Sequence, residues 1–370
     1  MPKGPAPSQS IEGQRYSTEL DTVEDSGRIR ADLPVFDRGK EAWLTVLGCW
    51  LVQFCTYGYV SAFGVYQDHY SRSFLSQEHP SSISWIGSFQ LFLQYAPGVI
   101  VGKAFDAGYF RHMMALGTSL QTISMFMLSL THRNRYYEVF LAQAVGMGLG
   151  QSILFLPSLT VIGHHFKRRR ALATGIATSG ASVGGIIWPI CLNQLSQRTT
   201  FANAIRTTAA LCGLMLFGSN FLMKARTMAE RNLPEEVRFR TILRDSAYLV
   251  SVISAFCINL GLFFPYFYLQ LYTADLKLGG SAAFYSLAIL NAGGALGRIL
   301  PNFLADKFGI YNLLLSCLLI SSGLAFSLLA ISKVSGVIGF AFFFGFSSGS
   351  YISLIPSLLA QLSSHAGEHG

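Results

Sequence analysis

Two stretches of the sequence repeat one pattern. Residues 146–165 read GMGLGQSILFLPSLTVIGHH, and residues 345–365 read GFSSGSYISLIPSLLAQLSSH. Aligning Gly146 with Gly345 also aligns Gly150 with Gly349, Pro157 with Pro356, Ser158 with Ser357 and Leu159 with Leu358. Nearly the same offset brings Asp106 within one residue of Asp306. The pattern indicates an internal repeat of the chain.

The composition is that of a membrane protein. Apolar residues make up 51% of the 370 residues, and charged residues only 12%. A window of about 20 residues, enough to cross about 30 Å of hydrocarbon, selects segments nearly free of charge. There are ten, at residues 43–65, 83–101, 113–130, 139–162, 171–191, 204–223, 247–271, 282–300, 313–331 and 337–359. We predict an all-α, multi-pass protein with about ten transmembrane helices.

Basic residues predict its orientation. Lysine and arginine concentrate in loops on one side of the predicted spans, at residues 103–111, 167–170 and 224–244 and at Lys307. The positive-inside rule places these loops and the N-terminus in the cytoplasm, and we expect the plasma membrane. Residues 1–40, rich in Ser, Pro, Gly and charge, are predicted to be a disordered cytoplasmic tail. Because the basic runs flank spans, no nucleic-acid partner is predicted.

The repeat predicts two parallel six-helix units, as in one class of secondary transporters. Residues 41–224 form the predicted N-terminal half, residues 225–245 a cytoplasmic linker, and residues 246–370 a C-terminal half with four helices. Two spans follow the first copy of the repeat, whereas only AGEHG follows the second. The second repeat is therefore predicted to be incomplete, and a truncated product that transports poorly is one expectation.

Six stretches carry a family resemblance: DRGKEAW at 37–43, SAFGVYQDHY at 61–70, SWIGSFQLF at 84–92, GKAFDAGYFR at 102–111, HHFKRRRALATGIATSGASVGGIIWP at 164–189 and GRILPNFLADKFG at 297–309. In these the chain resembles transporters of the major facilitator superfamily, and within it the fungal branch of the monocarboxylate porter family. The resemblance covers nearly everything from Asp37 onward. It implies a secondary transporter that carries a small organic molecule, a carboxylate or another metabolite, by alternating access.

The resemblance also implies a gate at the cytoplasmic face. Its candidate residues are Asp106 and Asp306, together with Lys103 and Arg111. A carboxylate here can pair with nearby cations or with the start of a following helix and hold that face closed. The alternative is that both aspartates are solvated loop residues. In the fifth span, the residues expected to allow close packing and sliding against the eighth span are Gly175, Gly180, Gly184 and Gly185.

Arg298 lies inside a predicted span, where a charged residue by itself indicates function. The resemblance implies that it meets a substrate carboxylate. The family's nearby aspartate is replaced by Gly294, and the first span contains no lysine, so proton coupling stays open. The alternative is that Arg298 braces the cytoplasmic end of the eighth span near Asp306.

Other candidates for substrate contact are polar or aromatic residues inside spans: Asn291, Tyr57, Gln94, Gln151 and Tyr351, then Tyr59, Gln90, Asn259 and Tyr266. Such residues suit a cavity for a fairly large organic molecule, which favours an organic-anion or metabolite carrier.

Other classes of function receive little support. All six cysteines fall in apolar segments, and none lies in a CxxC pair or beside a histidine at ligand spacing, so no metal or cofactor is predicted. The spans contain no nucleophile with a base and no paired carboxylates, so no enzyme is predicted. A receptor-like, non-transporting relative is the alternative to a carrier.

Overall fold

The computed structural model describes residues 39–225, 246–262, 264–275 and 280–366, and within these ranges it contains helices and no strand. Almost all of the predicted tail lies outside the described residues. The predicted linker also lies outside them, with the exception of residue 225.

Residues 39–225, which we call the N-terminal half, contain ten α-helices. They are α1 (Lys40–Cys55), α2 (Tyr57–Val60), α3 (Phe63–His69), α4 (Pro80–Tyr95), α5 (Gly98–Asp106), α6 (Phe110–Leu128), α7 (Tyr136–Val139), α8 (Gly148–Thr160), α9 (Arg170–Arg198) and α10 (Phe201–Leu222). Short π-helical segments, Tyr70–Phe74 and Phe140–Met147, continue α3 and join α7 to α8. A 3₁₀ turn, Val161–His164, follows α8.

The described C-terminal half contains five α-helices. They are α11 (Ser246–Leu262), α12 (Phe264–Asp275), α13 (Gly280–Phe308), α14 (Ile310–Ser327) and α15 (Val334–Ala366). Both copies of the repeated pattern are helical, and Pro157 and Pro356 lie inside α8 and α15.

Local chemistry explains several helix ends. Pro80 opens α4, where its missing N–H would have had no partner inside the helix. The Thr200 hydroxyl caps α10 by accepting a hydrogen bond of 3.4 Å from the Asn203 N–H. Before α14 the chain turns at Gly309, whose φ of 90° is readily adopted by glycine.

Among the described residues, seven helical stretches are long and apolar enough to cross a membrane: Lys40–Phe74, Tyr136–His164, Arg170–Arg198, Phe201–Leu222, Tyr285–Phe308, Ile310–Ala330 and Val334–Leu358. The described parts of all ten predicted segments are mainly helical, while ten membrane crossings stay a prediction. The segment at 83–101 is interrupted between Tyr95 and Gly98, where Pro97 supplies no N–H.

Large apolar side chains face outward, for example Leu319 at 75% exposure and Leu329 at 86%. Lipid is the medium that such a surface suits.

The long helix α9 packs against both halves through its glycines. A Cβ on Gly175 would overlap the carbonyl oxygen of Arg298, and one on Gly185 would lie 2.7 Å from Asn291 Oδ1, so these two glycines face α13 as predicted. The prediction was wrong for Gly180 and Gly184, which face the first helices instead. A Cβ on Gly180 would overlap the Trp50 carbonyl oxygen, and the glycine at 184 packs on α1 and α2.

The glycines of the repeat have different neighbours in the two halves. A Cβ on Gly150 would lie 2.7 Å from the Gln121 backbone nitrogen in α6. A Cβ on its counterpart, Gly349, would lie 2.8 Å from the Gly294 carbonyl oxygen in α13. In both copies small residues let two backbones approach closely, the packing that transmembrane helices favour.

Candidate functional site

Arg298 lies inside the helical bundle, with only 3% of its surface exposed. Its Nη1 donates a 2.6 Å hydrogen bond to the backbone carbonyl oxygen of Thr178 in α9. Its Nε has no hydrogen-bond partner among the residues that the structure describes. Within the described ranges, no carboxylate forms an ion pair with this guanidinium. The site thus holds a buried cation whose charge is met by one carbonyl dipole.

An aromatic wall lies beside Arg298, formed by Tyr57, Phe155 and Tyr95. The Arg298 Cζ lies 5.8 Å from the ring centroid of Tyr57, within the range of a cation–π contact. The Tyr57 and Phe155 centroids are 6.5 Å apart, and those of Tyr95 and Phe155 are 5.4 Å apart. Tyr57 is placed there by the break between α1 and α2, at Thr56 with φ −95° and ψ −86°.

Three buried glutamines, Gln90, Gln94 and Gln151, lie on α4 and α8, and we call them the amide cluster. Gln90 Nε2 donates a 3.1 Å hydrogen bond to Gln151 Oε1. The two helices approach closely because Gly148 has no side chain: a Cβ there would lie 3.0 Å from the Gln90 carbonyl oxygen. In the described part of the chain, the remaining amide atoms of all three glutamines have no hydrogen-bond partner.

Two other predicted site residues have structural contacts. Asn291 is buried against Gly185 and donates from Nδ2 to the Leu287 carbonyl oxygen at 3.0 Å. Tyr351 packs in an apolar cluster at the Asp306 end of α13, which also contains Ala305. The structure therefore brings Tyr57 to Arg298 and Gln90 to Gln151, and places Tyr351 in that apolar cluster.

Sequence reasoning missed Tyr95, Phe155 and Thr178. Phe155 lies one helical turn after Gln151, on the same face of α8, so it could have been found as a neighbour of a named candidate. Tyr95 directly follows Gln94 in the chain and therefore points to another side of α4, so the sequence gives no such signal for it. No sequence signal indicates Thr178, because it contributes only a backbone oxygen.

The four predicted gate residues differ in their contacts. Asp306 lies at the end of α13, and its Oδ2 accepts a 3.1 Å hydrogen bond from the Leu172 N–H in the first turn of α9. A carboxylate at that helix end is favoured by the helix dipole. Lys103, Asp106 and Arg111 are exposed, and no ion pair joins them in the part of the chain that the structure describes.

The two halves are in contact along one face. The contact runs from the hydrogen bond between Leu172 and Asp306 to the packing of Gly185 on Asn291, and Arg298 lies between these points. A bundle of two helical halves with a buried cation near their contact can enclose a charged molecule.

Comparison with known families identifies this architecture. Residues 45–370 match the Major Facilitator Superfamily. The chain belongs to this superfamily. Membership makes it a multi-pass membrane transporter, from a family whose members are generally not enzymes. It also confirms the superfamily predicted from the sequence, while the monocarboxylate porter branch stays a prediction.

Several fungal members of the superfamily are similar to this chain. MFS-type transporter 1 of Ophiocordyceps sp. is 34% identical over 88% of this chain and 73% of that protein. The agnestins efflux protein of Paecilomyces divaricatus is 36% identical over 86% of this chain and 73% of that protein. The aspyridones efflux protein of Emericella nidulans is 35% identical over 96% of this chain and 72% of that protein.

Proposed function

We propose that this transporter exports a small acidic organic molecule by alternating access, and that Arg298 binds the anionic group of that molecule. The observation that carries the proposal is the buried guanidinium, which has an unpartnered Nε and no ion pair among the described residues.

Burying a charge is costly unless a partner compensates it. A single hydrogen bond to the Thr178 carbonyl leaves most of the five guanidinium donors available. A carboxylate matches this planar group in geometry and charge and can accept two parallel hydrogen bonds. An acidic substrate would therefore supply the missing counter-charge at the moment of binding.

The contacts of Arg298 favour this role over a brace at the end of α13. Arg298 precedes Asp306 by eight residues, which corresponds to about 12 Å along a helix axis. Asp306 accepts a hydrogen bond from Leu172 at the start of α9, and Arg298 donates to Thr178, six residues further along α9.

The direction of transport is proposed from the relatives. Two of them carry the word efflux in their names, with agnestins and aspyridones as the named compounds. Export of an organic compound is therefore the direction that we propose for this chain. The same similarity favours a carrier over a receptor-like, non-transporting protein.

The test is export of a panel of labelled organic acids from a transporter-deficient fungal host. Arg298→Lys keeps the charge but loses the planar fork, so export should fall sharply at equal surface expression. Arg298→Ala should lower export of the transported acids about a hundredfold or more, because a buried charge pair loses one partner. Arg206→Ala, a change at an exposed arginine bonded to Ser129, is the control and should export normally. Export by Arg298→Ala at the wild-type rate would show that this arginine does not bind substrate.

A further inference from the structure

The amide cluster is a second polar region that the role of Arg298 does not use. Gln90, Gln94 and Gln151 are 1%, 2% and 0% exposed. Both amide atoms of Gln94 lack a hydrogen-bond partner within the described ranges, as do Gln90 Oε1 and Gln151 Nε2. An exchange of O and N in an amide would not remove this shortage, because every glutamine amide carries a donor and an acceptor.

Leaving these groups unpaired is expensive in a membrane protein. A buried polar group without a hydrogen bond costs free energy, and buried groups in native structures are nearly always paired. Four unpaired atoms within three neighbouring side chains form a concentrated exception. A ligand that offers both acceptors and donors would remove that cost on binding.

The aromatic wall connects the amide cluster to Arg298. Gln151 lies one helical turn before Phe155, on the same face of α8, and Tyr95 is the last residue of α4. Both rings pack together, and Phe155 also contacts Tyr57, which lies under the guanidinium. The order of groups is therefore a cation, three aromatic rings and a set of neutral amides.

We infer that the substrate has two recognition groups: an anionic group held by Arg298 and a neutral hydroxyl or carbonyl group held by the amide cluster, joined by a flat unsaturated body that packs on the aromatic wall. This inference rests on the proposed function and deepens it. The group at the amide cluster is neutral because the cluster itself contains no ionisable side chain. The connecting body is flat because rings stack best on flat partners.

The test is equilibrium binding of three tritiated probes to the purified full chain, measured by scintillation proximity. Para-hydroxycinnamate carries both groups, cinnamate lacks the hydroxyl, and para-hydroxystyrene lacks the carboxylate. Wild-type protein should bind para-hydroxycinnamate at least about tenfold more tightly than cinnamate, because the hydroxyl satisfies buried amides.

Substitutions separate the two recognition groups. Gln94→Leu and Gln151→Met should each abolish the preference for the hydroxylated acid and leave cinnamate affinity within about twofold of wild type. Gln143→Met is the matched control, because Gln143 is also buried in a helix but accepts a 2.7 Å hydrogen bond from Tyr70 outside the cluster. This variant should keep the preference. Arg298→Ala should weaken both acids and leave para-hydroxystyrene unchanged.

The outcomes distinguish this inference from the proposed function. If the preference persists in both cluster variants while Arg298→Ala still weakens both acids, the amide cluster is structural and the anion site stands. If Arg298→Ala leaves binding of both acids unchanged, the anion site fails. Absence of binding of all three probes by monodisperse wild-type protein would overturn the two-group substrate, and the export panel would then judge the proposed function alone.

Discussion

Gly175 lies where the two halves approach most closely near Arg298, and a side chain there should force them apart. An added Cβ would overlap the Arg298 carbonyl oxygen and lie 2.8 Å from the Asn302 Cβ. The Arg298 carbonyl oxygen belongs to the backbone and, unlike a side chain, cannot rotate out of the way. Overpacking of this kind costs about 1–3 kcal/mol, and the cost applies only while α9 and α13 are in contact. Gly175→Val should therefore shift the equilibrium toward separated halves by about 5- to 150-fold.

The assay is the labelling rate of one cysteine with a maleimide reagent, measured on each membrane face. Thr178→Cys, in a chain whose other cysteines are replaced, places the thiol in the contact, because Thr178 is 4% exposed. Separation of the halves would expose it, so labelling should accelerate with Gly175→Ala and further with Gly175→Val. Gly218→Ala is the control, because a Cβ there meets nothing within 4 Å. Labelling of the Gly175→Val protein at the wild-type rate, with helix content intact, would refute the steric reasoning.

Three further effects follow from other contacts. Asp306→Asn removes a charge from the start of α9 and should weaken the contact between the halves by about 0.3–1 kcal/mol. The expected result is faster labelling in the same assay, and an unchanged labelling rate would make this carboxylate an ordinary surface residue. Gly349→Val places a side chain against the Gly294 carbonyl and should destabilise the protein by about 1–3 kcal/mol, measured by thermal unfolding. An unchanged unfolding midpoint would contradict the close approach of the two backbones at this glycine. Lys224→Ala breaks a 2.8 Å ion pair with Glu41 in which both side chains are more than half exposed, and should change stability by less than about 1 kcal/mol. A larger loss would mean that this pair holds the end of α10.

Apolar windows predicted the helices well, because a chain in lipid must satisfy its backbone groups within each segment. The break after Tyr95 was within reach of the sequence, since Pro97 interrupts that segment. The break at Thr56 was not, because no proline marks it, yet it places Tyr57 under the guanidinium.

Contacts between helices that lie far apart in the chain were harder to predict from the sequence. The sequence marked Gly175 and Gly184 as equivalent small residues of one span, but their positions on the helix turn one toward α13 and the other toward α1 and α2. It also treated Gln151 and Tyr351 alike, as polar residues within spans. Their surroundings differ because rotation of each helix about its axis depends on packing against neighbours far away in the chain.

The candidate site is divided between the halves, and this division matters for transport. Arg298 belongs to the C-terminal half, whereas the aromatic wall and the amide cluster belong to the N-terminal half. A molecule that contacts both sets binds most tightly at one separation of the halves, and so has different affinities for different conformations. Only such a difference lets a ligand shift a conformational equilibrium. Arg298 also holds the Thr178 carbonyl across the contact between the halves. An anion that competes for this guanidinium would weaken that hydrogen bond. Binding of the acidic group and separation of the two halves at this contact would therefore involve the same side chain.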